Sequence, residues 1–76
     1  MVMPNKVVKP IDSLVAVGGF IKEILHNENP IDVNSLFYKL NNQYPVNITV
    51  EKYILTLDFL FVIGIIFFED EVIVLR

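Results

Sequence analysis

The stretch from Tyr53 to Phe68 constrains this chain most, because its sixteen residues carry only Thr56 and Asp58 as polar side chains. A segment this apolar has to be buried in its own core, covered by another chain, or held in a membrane. It falls short of the roughly 20 apolar residues that a spanning helix needs, and a mid-segment carboxylate costs about 2.5 to 3.5 kcal/mol on insertion. Its C-terminal flank, Glu69-Asp70-Glu71, is acidic. A membrane location is therefore not expected, and protein is expected to cover the run.

The cover available within the chain is limited. A domain of 76 residues buries only roughly 60% of the surface its unfolded form exposes. Yet 54% of the residues are hydrophobic, with six Phe and three Tyr, and the mean hydropathy is +0.56. Monomers avoid contiguous apolar patches beyond a few hundred Å². The surplus predicts a second chain, either another protein or, in a homo-oligomer, a further copy.

Charge and composition exclude several classes. Six basic against nine acidic residues leave a net charge of −3, the wrong sign for gripping phosphates, so direct specific nucleic-acid binding is not expected. Cysteine is absent, which removes disulfides and thiolate metal sites and fits a cytoplasmic location. Met1 to Lys6 lacks the basic-then-apolar order of a secretory signal, so the Asn47-Ile48-Thr49 sequon is not expected to carry glycan.

Along the chain, residues 1–10 read as an extended arm, since Pro4 and Pro10 bias their predecessors away from the α region. Residues 11–76 read as one domain. Leu14, Val17, Ile21, Ile24 and Leu25 share a helical face. Asp12 or Ser13 is the expected N-cap, and Asn27, Asn29 and Pro30 the stop after His26. Gly18-Gly19 inside that helix costs about 1 kcal/mol per glycine, which predicts close approach of another backbone.

Ile31 is expected to form at most a bridge of strand. Asp32 then caps a second helix with Leu36, Phe37 and Leu40 inward, ended by Asn41-Asn42 and Tyr44-Pro45. Thr49 caps a third, whose stripe is Val50, Tyr53, Ile54, Leu57 and Phe61, widened by Phe59, Leu60 and Ile63. Gly64 fits a left-handed C′ position. Ile65 to Phe68 and Val72 to Leu75, around the acidic turn, predict a β-hairpin apolar on both faces. The fold class is α+β and winged-helix-like: an extended N-terminal arm, three helices and a C-terminal hairpin as the wing.

Catalysis is not expected. His26 is the sole histidine, with no second histidine or cysteine to form a dyad or a zinc site; beside a helix C-terminus it serves as a favourable cation or donor. Glu69-Asp70-Glu71 reads as a solvated turn, since no further oxygen ligands are spaced as in a calcium loop. Neither a metal nor a cofactor is implied. A DNA-reading third helix would display Arg, Lys, Asn or Gln, but Lys52 is its only base, beside Glu51 and Asp58. Asp58 faces solvent or pairs with a cation of this chain or of a partner. The candidate partner-contact residues are Asp58, Phe59, Phe67, Ile73 and Leu75, on the third helix and the wing.

Two stretches carry a family resemblance. Met3-Pro4-Asn5-Lys6 followed by Asp12-Ser13-Leu14-Val15-Ala16-Val17-Gly18-Gly19-Phe20, and the run from Tyr53 to Ile66, resemble the middle component, sixth class, of bacterial ABC three-component systems. Pro4, Lys6, Ser13, Leu14, Gly18, Leu57, Asp58, Phe59, Leu60, Ile63, Gly64 and Ile66 sit on the family pattern. Ala16 stands in place of a glycine, Phe61 in place of a Tyr, and Val7 where His is common. These departures leave the apolar frame intact and put polar contacts through those positions in doubt. The resemblance implies a non-enzymatic adaptor encoded with an SMC-like or RecN-like ABC ATPase and an effector subunit, in antiviral or anti-plasmid defence. The alternative from another class is a small DNA-binding winged-helix transcriptional regulator.

Overall fold

The computed structural model of the chain describes residues 10–76, with side chains from Ser13 onward; of the expected arm, residues 1–9 lie outside that range. Helix α1 spans Pro10–Asn27, so the helix starts upstream of the expected cap at Asp12 or Ser13. Proline's fixed φ and missing N–H suit a first helical position, where the amide has no partner in any case. Strand β1 (Ile31–Asp32), helix α2 (Val33–Gln43), helix α3 (Val50–Val62) and strands β2 (Ile66–Glu69) and β3 (Val72–Leu75) follow. Three helices and a small antiparallel sheet make an α+β fold, as predicted.

The sheet order is β1-β3-β2. Ile31 pairs with Ile73 and Asp32 with Val72, so the hairpin is tied along one edge by a two-residue strand where only a bridge was expected. The Leu75 amide adds a 2.9 Å bond to Asn29 Oδ1. Glu69 opposes Val72, which leaves Asp70 and Glu71 as the turn. Asp70 takes φ 58°, a left-handed conformation that aspartate tolerates better than most residues.

Both predicted caps form. Asp32 accepts from the Ser35 amide at 3.0 Å, and Thr49 Oγ1 from the Lys52 amide at 3.1 Å. Helix α2 runs through Asn41-Asn42 to Gln43 and ends at the expected Tyr44-Pro45, with Tyr44 as its C-cap. Asn41 instead uses its side chain on the next loop, where Oδ1 accepts from the Ile48 amide at 2.7 Å and helps to hold Ile48 in the core. Helix α3 ends on Gly64 at φ 84°, as predicted. The Ile65 amide donates to Leu60 O at 2.9 Å and the Gly64 amide to Phe61 O at 3.1 Å, the paired bonds of a Schellman cap.

The core joins Val17, Ile21, Ile24 and Leu25 of α1 to Leu36 and Leu40 of α2, Tyr53, Leu57 and Leu60 of α3, and Ile66 and Ile73 of the sheet. Each fully buried aliphatic side chain contributes about 1.5–3 kcal/mol. At Gly18 the close neighbour is a side chain rather than the expected backbone: a Cβ there would lie 3.2 Å from Leu60 Cδ2, whereas Gly19 faces open space.

The predicted stripe of α3 is rotated from the observed one. Tyr53, Thr56, Leu57 and Leu60 are buried, while Val50, Ile54 and Phe61 are exposed. A helix apolar nearly all round gives periodicity no face to select. Thr56 takes a core position because its hydroxyl is satisfied locally, donating to Lys52 O at 2.7 Å.

Candidate protein-interaction surface

The buried side of α3 fixes what its other side presents. With Leu57 and Leu60 inward, Glu51, Ile54, Leu55, Asp58, Phe61 and Val62 turn to solvent. Leu55 is 54% exposed, Phe61 50% and Val62 79%, values foreign to a helix that only needs to complete a core. The patch extends past the C-terminus of α3 through exposed Ile63. It also reaches the hairpin, because the rings of Phe61 and Phe68 lie 5.4 Å apart. Phe68 pairs with Ile73 and therefore shares the helix-facing side of the sheet, but it sits beyond the core and stays exposed.

The predicted contact residues fall in different environments. Asp58 is exposed at the centre of the α3 face; the sole ion pair among the described residues is Lys39 to Glu28 at 2.9 Å. Phe59 is half-buried and lines a shallow groove between α1 and α3 with Val15, Lys22 and Ile63. Phe67 is half-buried on the outer side of the sheet, with the Arg76 guanidinium 5.1 Å from its ring centre. Leu75 packs partly against the core. Ile73 is fully buried and has no surface to offer; its pairing with both Ile31 and Phe68 puts it in the middle of the sheet, on the helix side.

Sequence reasoning missed Ile54, Leu55, Phe61, Val62 and Phe68 as exposed positions. A signal was present: a carboxylate in an apolar helix faces outward unless paired, and its neighbours three and four residues away share its face. Asp58 thus marked Ile54, Leu55, Phe61 and Val62.

The polar groups of Lys52, Tyr53 and Asp32 are engaged locally. Lys52 Nζ donates to Ser13 Oγ at 2.7 Å, so the one base of α3 is held against α1 rather than aimed outward. Tyr53 is buried against Phe37, ring centres 4.7 Å apart, and its hydroxyl donates to Val33 O at 2.6 Å. Burial, reinforced by the Asp32 carboxylate, raises the Tyr53 phenol well above its ordinary value. Hydrogen bonds from Ser35 lower the Asp32 carboxyl. His26 is exposed in the last turn of α1, and Glu69, Asp70 and Glu71 are exposed around the hairpin turn. Among the described residues no helix is long and apolar enough to cross a membrane; the long apolar run is broken at Gly64 into a helix and a strand.

Comparison with curated proteins and with solved structures finds no match. The model of one family, described as ABC-three component (ABC-3C) system Middle Component 6, matches residues 3–76. That span takes in both stretches on which the resemblance rested, Met3 to Phe20 and Tyr53 to Ile66, and the chain belongs to the Middle Component 6 family of ABC-three component systems.

Proposed function

We propose that the chain is a non-enzymatic, winged-helix-like adaptor. It joins an SMC-like or RecN-like ABC ATPase to the effector of its system through protein contacts, in cytoplasmic defence against phage or plasmids. The observation that carries the reading is the exposed apolar face that runs from Ile54 and Leu55 through Phe61 to Phe68. A contiguous patch of this kind marks an interaction site, and membership of a multi-component system supplies components to fill it.

The order α1, β1, α2, α3, β2, β3 is the order of a winged helix and supports that description. Where a recognition helix would carry bases, α3 presents Glu51 and Asp58, which favours protein over DNA as partner. Asp58 is assigned to the centre of the contact, Phe59 to its α1 edge and Phe67 to the sheet's outer side, with Leu75 supporting them from the core. Co-expression with the ABC ATPase and effector components, followed by size-exclusion chromatography, tests the reading. A shared peak is expected; a stable monomer that elutes apart from both components would sink it. Salt-dependent binding to its own promoter would instead favour the regulator alternative.

A further inference from the structure

The adaptor reading leaves open what kind of surface meets α3, and the arrangement of charge on its outer face narrows that. Resting on that reading, we infer that this face receives a helix of another component, whose apolar stripe carries a Lys or Arg opposite Asp58, and that it does not receive a second copy of this chain.

The geometry follows from the helical period of about 100° per residue. Glu51 and Asp58, seven residues apart, fall within roughly 20° of each other and about 10 Å apart along the axis. Ile54 and Phe61 lie on one side of that acidic line and Leu55 and Val62 on the other, each displaced from Asp58 by roughly 40–60°. All six side chains are exposed. Two apolar rails either side of a central line form a seat for a helix, whose stripe is of similar width.

Docking on the rails removes water from Asp58. A carboxylate desolvated without a counter-charge is very costly, and interface centres are depleted of charge unless it is paired. The facing helix must therefore bring the cation, and a guanidinium gives the strongest pairing with a carboxylate. A second copy fails this requirement. A two-fold axis through the face sets Asp58 against Asp58 or Glu51 of the copy, and Lys52 is turned away to Ser13. Like charges juxtaposed at an interface oppose association. An anionic membrane surface meets the same repulsion.

The test uses the full chain with its ABC ATPase and effector components, comparing wild type with Asp58→Lys, Glu51→Lys and Glu71→Lys. Asp58→Lys is expected to weaken binding roughly 30-fold or more, Glu51→Lys less, and Glu71→Lys at the hairpin turn not at all. The unfolding midpoints should match, because these side chains are exposed. The chain alone should sediment as a monomer. If wild type binds and Asp58→Lys binds equally well while Leu55→Asp does not, the charge pairing is overturned and the adaptor reading stands. A dimer that Leu55→Asp dissociates assigns the face to a second copy and overturns the inference. Wild type that binds neither component overturns the adaptor reading and the inference with it.

Discussion

Helices α2 and α3 are built alike at the start: each is opened by a side-chain oxygen that accepts the amide three residues on, Asp32 for Ser35 and Thr49 for Lys52. Each also turns a narrow apolar edge to the core, Leu36 and Leu40 in α2, Tyr53, Leu57 and Leu60 in α3. They part on the solvent side. There α2 shows Asn34, Ser35, Asn42 and Gln43 with Tyr38 as its one large apolar side chain, whereas α3 shows Ile54, Leu55, Phe61 and Val62. Holding the fold together explains the inner edge of both helices and the outer face of α2, but not the outer face of α3. The difference separates residues kept for folding from residues kept for contact.

That separation is broken most directly by core substitutions. Leu36→Ala in α2 and Leu57→Ala in α3, both at buried positions, are expected to cost about 2–5 kcal/mol each in urea unfolding. Leu55→Ser, two residues from Leu57 but exposed, should stay within about 0.5 kcal/mol of wild type and show its effect only on association with the other components. If Leu55→Ser destabilises the isolated chain as much as Leu57→Ala, the outer face of α3 belongs to the fold and the contrast with α2 fails.

A smaller effect is expected where the two helices are joined. Tyr53→Phe removes the donor to Val33 O and should cost about 1–3 kcal/mol, since a part-buried carbonyl loses its partner. It should also change the pH profile. The raised pKa of the Tyr53 phenol means that the folded chain keeps a proton which the unfolded chain loses near pH 10.0. This contribution is fully present below that pH and is lost as pH rises through the folded value. Urea unfolding from pH 8 to 11 should therefore show a steeper alkaline decline for wild type than for Tyr53→Phe.

The same two helices show how far the sequence could be read. Both caps, the two leucines of α2, the left-handed Gly64 and the hairpin were legible, because each depends on local chemistry: an oxygen aimed at a free amide, a residue without Cβ, or a β-branched run around a turn. The facing of α3 was not, because a helix apolar on nearly all sides gives no contrast from which to choose a face, and packing against α1 at Gly18 and against Phe37 of α2 sets it. The burial of Ile73 was hidden for a related reason. It follows from the pairing with Ile31, a contact between residues far apart in the chain and too short to leave a strand pattern around Ile31.

The caps sharpen the comparison at the next level down. Thr49→Ala is expected to cost about 1 kcal/mol. Asp32 caps α2 as a carboxylate held below its ordinary pKa by Ser35, so its contribution is present above pH 3.8 and is lost as pH falls through the lowered folded value. Acid unfolding curves of Asp32→Asn and wild type should therefore converge at low pH and separate as pH rises. Thr49→Ala should stay offset from wild type by a constant amount.

The smallest effect tests whether α1 packs on α3 through one glycine or two. Gly18 is buried, and a Cβ there would crowd Leu60. Gly19, the next residue, is exposed and has no atom within 4 Å of its Cβ position. Gly19→Ala therefore gains helix propensity with nothing to displace and should raise stability by about 0.5–1 kcal/mol. Gly18→Ala gains the same propensity against a 3.2 Å approach to Leu60 Cδ2, so it should fall below Gly19→Ala, and Gly18→Val should fall below wild type. Equal gains at both positions in thermal unfolding would mean that α1 and α3 are not in close contact at Gly18. The orientation of α3, and with it the assignment of its outer face to a partner, would then have to be redrawn.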